Sequence, residues 1–360
     1  MLIETLITLA KIAVVLGAVM NFTLLLTWVE RKQSAVIQDR IGANRASILG
    51  IRALGLFHPL ADGIKMLTKE DFVPASADRF LHALAPFLSL FCALVTFAVI
   101  PFGDVLRVGD REIQLQIVDL DVGILFIFAF AALGVYGVVL AGWASGNKWA
   151  LLGSLRAAAQ VIAYEVTLGL TIVGVLLVFG TVALDEMVRA QGATTVWGLP
   201  KWGIVVQPLG FLLFLVAATA ETKRTPFDVP EGESEIIGYH LEYSGIKFGM
   251  FLMTDFVESI LAAAVATTLF LGGWQVPYLQ ASGFAFPWGA IWELPHLVVV
   301  LLQVLSFAFK VCLISWLLMQ IRWTLPRFRY DQVVRLGWKM LLPVSLANTF
   351  VTGLVLLVIR

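Results

Sequence analysis

The stretch 217–244, AATAETKRTPFDVPEGESEIIGYHLEYS, sets six carboxylates (Glu221, Asp228, Glu231, Glu233, Glu235 and Glu242) against Lys223, Arg224 and His240. Long apolar runs precede and follow it. Crowded carboxylates repel one another, which pushes some of their pKa values toward neutrality. A proton relay needs that property, and charge at the edge of an apolar medium is costly unless it handles protons or cations. Four further charges lie inside apolar runs: Glu165, Asp255, Glu258 and Lys310. Asp255 and Glu258 are three apart and share a helix face. Tyr164, Thr167, Thr171 and Thr254 offer hydrogen-bond steps beside them. At 1.5 Å of rise per residue, Glu165 lies roughly 14 Å, Glu258 roughly 16 Å and Lys310 roughly 18 Å from the basic ends of their spans. The expectation is one mid-membrane layer of three charges, linked through Asp255 to Glu221. The bland alternatives are a solvated acidic hairpin and a Glu258–Lys310 pair that only holds two helices together. Against the hairpin, Phe227 and Val229 alternate with Asp228, and Pro226 and Pro230 bar a regular helix, so a bent, partly buried loop is expected.

The elements that must position these residues are membrane spans. The chain has 360 residues, is 59% hydrophobic and only 14% charged, well below the charged fraction of a soluble domain. Net charge is zero, so nothing points to nucleic acid. Cys92 and Cys312 stand alone in apolar runs, where core packing is expected, and no Cys/His spacing forms an iron–sulfur or zinc motif. No glycine-rich phosphate loop is present either. The first apolar run lacks a basic leader and a small-residue cleavage site, so it is expected to be retained.

The fold expected is all-α: one integral membrane domain over 1–360 with eight transmembrane helices. Runs near 6–29, 82–102, 121–144, 156–181, 204–221, 248–272, 294–321 and 339–359 are long enough to cross about 30 Å of hydrocarbon; the fifth is the shortest. Loops after the odd-numbered spans hold 18 Lys and Arg residues, against four in the other loops. This bias puts the odd-numbered loops on the cytoplasmic or matrix side and both termini on the opposite side. In the first loop, Leu60, Ile64 and Leu67 fall on one helical face and Asp62, Lys65 and Lys69 on another, the pattern of a short helix lying on the membrane surface. His82 and His296 sit at span ends and read as interfacial.

Four motifs on the same face carry a resemblance: ERKQSAVIQDRIGANR, PLADGIKMLTKED, AETKRTPFDVPEGESE and LPRFRYDQVVRLGWK. Together they resemble the H-type membrane subunits of the proton-pumping NADH:quinone oxidoreductase (complex I), from about Glu30 to Pro343. The resemblance implies a bacterial inner-membrane or mitochondrial location. It implies partners in the membrane and peripheral arms, the lipid bilayer, and quinone as substrate. Flavin and iron–sulfur clusters would belong to partner subunits only. It also implies that this chain forms the membrane end of a quinone chamber and the first links of a charged path to proton channels. Gln38, Arg40 and Arg45 fall within the first motif and would shape the chamber mouth or dock the peripheral arm; lipid-phosphate anchoring is the alternative reading. Arg224, Phe227 and Asp228, at the bend of the acidic loop, would stand at the chamber. Ala35, Ile37, Phe57 and Phe227 are candidates to line its apolar slot. RFRYDQ (327–332) reads as a structural corner in which Asp331 pairs with a nearby Arg.

The chain departs from the family pattern. It has Ala43 where the family usually has Pro, Asp255-Phe256 where it usually has Glu-Tyr, and only Ala131 and Ala132 where some members place a mid-span carboxylate. Two other readings compete. The membrane anchor of a membrane-bound hydrogenase shares the layout, and a secondary transporter could use paired acids, but the chain shows no internal repeat.

Overall fold

The computed structural model describes residues 2–109, 111–193, 200–232, 235–280, 283–285 and 291–359. A long helix, α1 (Leu2–Ile37), leads into an irregular loop and a short helix, α2 (His58–Thr68), with Pro59 in its first turn. Helix α3 (Arg79–Val95) starts at Asp78, whose carboxylate accepts the Phe80 and Leu81 N–H groups that the first turn leaves free. A hairpin of β1 (Val105–Val108) and β2 (Arg111–Gln114) follows. Then come α4 (Gly123–Ala144) and α5 (Lys148–Phe179), the latter capped by the Asn147 side chain at one end and by left-handed Gly180 at the other. Helices α6 (Leu184–Gln191), α7 (Gly203–Val206) and α8 (Pro208–Glu221) precede the acidic loop. Helix α9 (Gly245–Phe270) follows that loop, and a small antiparallel sheet of β3 (Leu279–Gln280), β4 (Gly283–Ala285) and β5 (Ile291–Glu293) leads to α10 (His296–Thr324). Helices α11 (Tyr330–Leu336) and α12 (Leu342–Ile359) are joined through one π-helical turn at Gly337–Leu341.

Among the described residues, seven helices are long and apolar enough to cross a membrane, and α8 is a shorter apolar one. The fifth expected crossing is broken. Pro208 cannot continue the helical ladder, so the chain kinks at Gln207 between α7 and α8. The kink is not left unsatisfied. The Gln207 amide donates to Thr352 Oγ1 (2.5 Å) and accepts from Asn348 Nδ2 (3.0 Å) on α12. Helical rise over 203–221 still amounts to about 28 Å, close to the hydrocarbon thickness. The predicted all-α, polytopic architecture is therefore what the chain adopts.

The core lies where α3, α4, α5, α8 and α9 meet. It includes Phe97, Tyr164, Phe214, Phe256, Leu269 and Phe270. Helices α1, α10 and α12 present many apolar side chains outward, as lipid-facing helices do. Cys92 is buried, but Cys312 is exposed on α10, which corrects the expectation of two core cysteines. His82 is also not interfacial: it is fully buried and stacked face to face on Tyr243 at 4.0 Å. His296 stays at a surface, accepting the Arg107 N–H.

Candidate functional site

Glu221 ends α8, and the next residues form no helix. Lys223 takes a left-handed φ of +55° and Thr225–Pro226 is cis. The loop is then tied down from several sides. Gln160 of α5, fully buried, donates from one amide nitrogen to the carbonyls of both Ala220 (2.7 Å) and Phe227 (2.8 Å). Phe227 packs between Tyr164 and Phe328, and the Phe328 N–H donates to the Pro226 carbonyl. Arg327 reaches the Asp228 carbonyl and, at 3.7 Å, its carboxylate. The RFRYDQ corner therefore seats the loop, and Asp331 pairs with Arg329 at 3.2 Å as its sequence position implied.

From this loop a series of charges runs inward. Arg322 of α10 binds Glu30 of α1 at 2.7 Å, and Glu30 also faces Arg224 at 3.6 Å. The Arg224 guanidinium lies 4.2 Å over the Phe256 ring and within the fields of Asp255 and Glu231. Burial draws its pKa down, and Glu30 opposes that. Glu231 and Asp255 are within hydrogen-bonding reach of each other, and the Tyr239 hydroxyl lies 3.4 Å from Glu231. A hydrogen bond between two carboxyl groups requires a proton on one of them. Burial first, and then the charge of Asp228, pushes Glu231 above the ordinary carboxylate range. Burial likewise pushes the Tyr239 phenol well up, so it stays a neutral donor. Lys223 pairs with Glu258 at 3.2 Å, with 6% and 22% of the two side chains exposed. Burial alone would lower this ammonium's pKa, but Glu258, Asp255 and Glu231 outweigh it and hold the pKa above its usual value. Beyond the pair stand Glu221 and Glu165, near enough to act on each other electrostatically.

Two cavities flank the series. A cleft of about 960 Å³ lies between α1, α2, α9 and the end of α10, lined by Leu24, Thr27, Glu30, Met66, Met253, Phe256 and Trp323 among others. Gly249 lets α2 approach, since a Cβ there would lie 2.7 Å from Met66 Sδ. A narrower cavity inside the bundle has Glu221, Lys223 and Glu258 at its polar end and Phe128, Ala131 and Leu168 among its apolar walls.

The predicted residues thus divide. Glu165, Glu221, Arg224, Asp228, Glu231, Asp255 and Glu258 come together. Glu235 and Glu242 hold the loop's outer edge instead, bonded to Arg156 (2.7 Å) and Asn147 (2.7 Å). Glu233 lies outside the described residues. Gln38 and Arg40 are exposed and bonded to each other at 2.6 Å, and Arg45 is exposed in the same loop. Phe227 is buried in the aromatic stack and Ala35 is buried beside Gly42, and neither lines the cleft; Ile37 and Phe57 do not line it either. Asp228 pairs with Arg327. Lys310 leaves the expected layer. Its ammonium is held by carbonyls just past the end of α9, about 20 Å of helix beyond Glu258. Glu258 accordingly pairs with Lys223, and no Glu258–Lys310 tie forms. Sequence reasoning missed Glu30, Lys223, Tyr239, Arg322 and Gln160. Glu30 and Arg322 carried a usable signal, each being a charge at the basic end of a long apolar run.

The model of the family described as NADH dehydrogenase matches residues 10–353. The chain is 45% identical over 350 residues to an NADH-quinone oxidoreductase H-type subunit of Geobacter metallireducens, covering 97% of this chain and 96% of the relative. It is 45% identical over 346 residues to the corresponding protein of Thermomicrobium roseum, with 95% and 94% covered. It is 44% identical over 328 residues to one from Cytophaga hutchinsonii, with 91% and 90% covered. With a family match across nearly its whole length, the chain belongs to the H-type subunit family of NADH-quinone oxidoreductase, and is a membrane subunit of complex I that is not catalytic alone.

Proposed function

We propose that the cleft between α1, α2 and α9 is the membrane passage of the quinone substrate, and that the buried charge series is the start of the path coupling quinone reduction to proton pumping. One observation carries the reading: Glu30 belongs to both. Its carboxylate stands in the cleft wall and at the same time binds Arg322 and faces Arg224, the first members of the series. The cleft joins an apolar wall (Leu24, Met66, Leu252, Met253, Phe256 and Trp323) to a polar one that includes Glu30, Arg31 and Asp62, a lining that suits an isoprenoid tail and a quinone head. A reduced quinone head takes up protons, and a local change of charge near Glu30 shifts the Arg224, Asp255 and Glu231 balance by direct Coulomb interaction. The Lys223–Glu258 pair and then Glu221 and Glu165 lie next in line. Ala131 stands in the wall of the inner cavity, and Ala131 and Ala132 offer no mid-span carboxylate, so the step would fall to Glu221 and Glu165.

The other subunits of complex I would complete the chamber and hold the redox centres. The exposed Gln38, Arg40 and Arg45 loop is the segment that meets the peripheral arm. The membrane is a bacterial cytoplasmic membrane, with the acidic loop on the cytoplasmic side and both termini opposite. The same layout would serve a hydrogenase anchor, but the relatives compared all carry the quinone oxidoreductase name.

A quinone analogue with a photoreactive group in its tail tests the passage. Irradiated in the assembled complex, it should label Leu24, Met66 or Leu252 within this chain, and excess quinone should suppress the labelling. Competitive labelling confined to other helices would contradict the reading.

A further inference from the structure

Lys310 has no place in that path, yet its surroundings are built with care. The buried ammonium donates to the carbonyls of Leu271 (2.8 Å), Gly273 (2.9 Å) and Gln275 (2.6 Å) and lies 4.4 Å from the Trp202 ring centroid. We propose that the turn after α9 is a binding site for a primary ammonium group, filled permanently by Lys310, and that the filled site locks the outer end of the bundle rather than carrying protons.

The turn is shaped to aim three carbonyls at one point. Gly272 and Gly273 take φ of +73° and +52°, which side-chain-bearing residues rarely adopt. A Cβ at Gly272 would also lie 2.5 Å from Trp202 Nε1. From the other side, buried Gln191 accepts the N–H groups of Gly203 and Gly272 at 3.0 Å each and donates to Thr268 at 2.8 Å. The carbonyls at a helix C-terminus carry the negative end of its dipole, and without partners they would be costly in an apolar bundle. Three acceptors match the three N–H groups of an ammonium. A neutral amine has two, and its lone pair would face the third carbonyl. All three partners are backbone carbonyls, none of which can take a proton from Lys310, so the contacts suit a fixed tie and not a relay station. The Trp202 face adds a cation–π contact to the ammonium.

Chemical rescue tests this in the purified, assembled complex. Lys310→Ala removes the Cγ–Cδ–Cε–Nζ segment, which n-propylammonium reproduces. The thermal transition of this variant complex should fall, and n-propylammonium should raise it. Tetramethylammonium, which has no N–H, should not, and the wild-type complex should respond to neither. Lys310→Arg keeps charge and donors but does not release a proton, so it should retain the wild-type number of protons pumped per NADH. A Lys310→Ala complex as stable as wild type, or one that responds alike to both amines, overturns the site. A Lys310→Arg complex that assembles and melts like wild type but pumps no protons shows instead that Lys310 carries them. That comparison decides the matter if Lys310→Ala does not assemble.

Discussion

Glu30 changes meaning most between the sequence and the fold. Read along the chain, it is a charge just before Arg31 and Lys32 at a membrane edge; in space it is the partner of Arg224 and Arg322. Those arginines lie on other segments, and spacing within one helix cannot reveal a partner from another. Lys223 escaped for a related reason, because its pairing with Glu258 depends on the left-handed bend after α8. Removing one member of this pair strands the other as a buried charge, at a cost of about 3–5 kcal/mol. Lys223→Met should therefore lower the melting transition of the assembled complex sharply. The double variant Lys223→Met/Glu258→Gln should recover part of the loss, as differential scanning calorimetry can measure. Glu231 supplies a pH prediction. Its pKa is raised in the folded chain, so above the ordinary glutamate value the unfolded chain releases a proton that the folded chain still holds. Stability is then lost as pH rises. Glu231→Gln removes that loss, so its transition should rise relative to wild type as pH is raised above the ordinary glutamate range. An unchanged difference as pH is raised would show that Glu231 titrates normally.

Apolar runs, turn residues and the Lys/Arg bias made the membrane elements legible. The fifth run stood out only as the shortest; its kink at Pro208 and the bonds from Gln207 to Asn348 and Thr352, more than a hundred residues away, were not legible. Helical rise placed Lys310 correctly along its own helix and wrongly against its neighbours. It carries no information on how far α10 is shifted relative to α9, and that offset takes Lys310 to the outer turn. The amphipathic helix α2 was readable from Leu60, Ile64 and Leu67, whereas its docking on α9 through Gly249 and Met66 was not. Two predictions belong here. Gly249→Val should press Met66 into the cleft and raise the KM for quinone several-fold, while NADH oxidation by ferricyanide is unchanged. Equal quinone kinetics in an assembled variant would remove α2 and α9 from the passage. Single cysteines at Ser76, Lys148 and Arg335 should react with a membrane-impermeant thiol reagent only from the cytoplasmic side, and one at Gly283 only from the outside. Any reversal would overturn the orientation drawn from the Lys/Arg bias.

At the scale of the molecule, seven long apolar helices and the shorter α8, among the described residues, surround a line of charge whose near end touches a cleft between helices and whose far end is Glu165. The acidic segment was visible as a site in the sequence because charge is so scarce elsewhere. Which carboxylates turn inward was not visible, because Arg156, Asn147, Gln160 and Arg327 decide it from distant parts of the chain. We propose that this line couples quinone reduction to pumping. The most direct measurement is the number of protons translocated per NADH oxidised by assembled complex in sealed vesicles, comparing wild type with Glu165→Gln/Glu258→Gln. The double variant should lose most of its pumping while electron transfer to ferricyanide stays at the wild-type rate. Wild-type pumping per NADH in that variant would contradict it and leave Glu165 and Glu258 as packing contacts between helices.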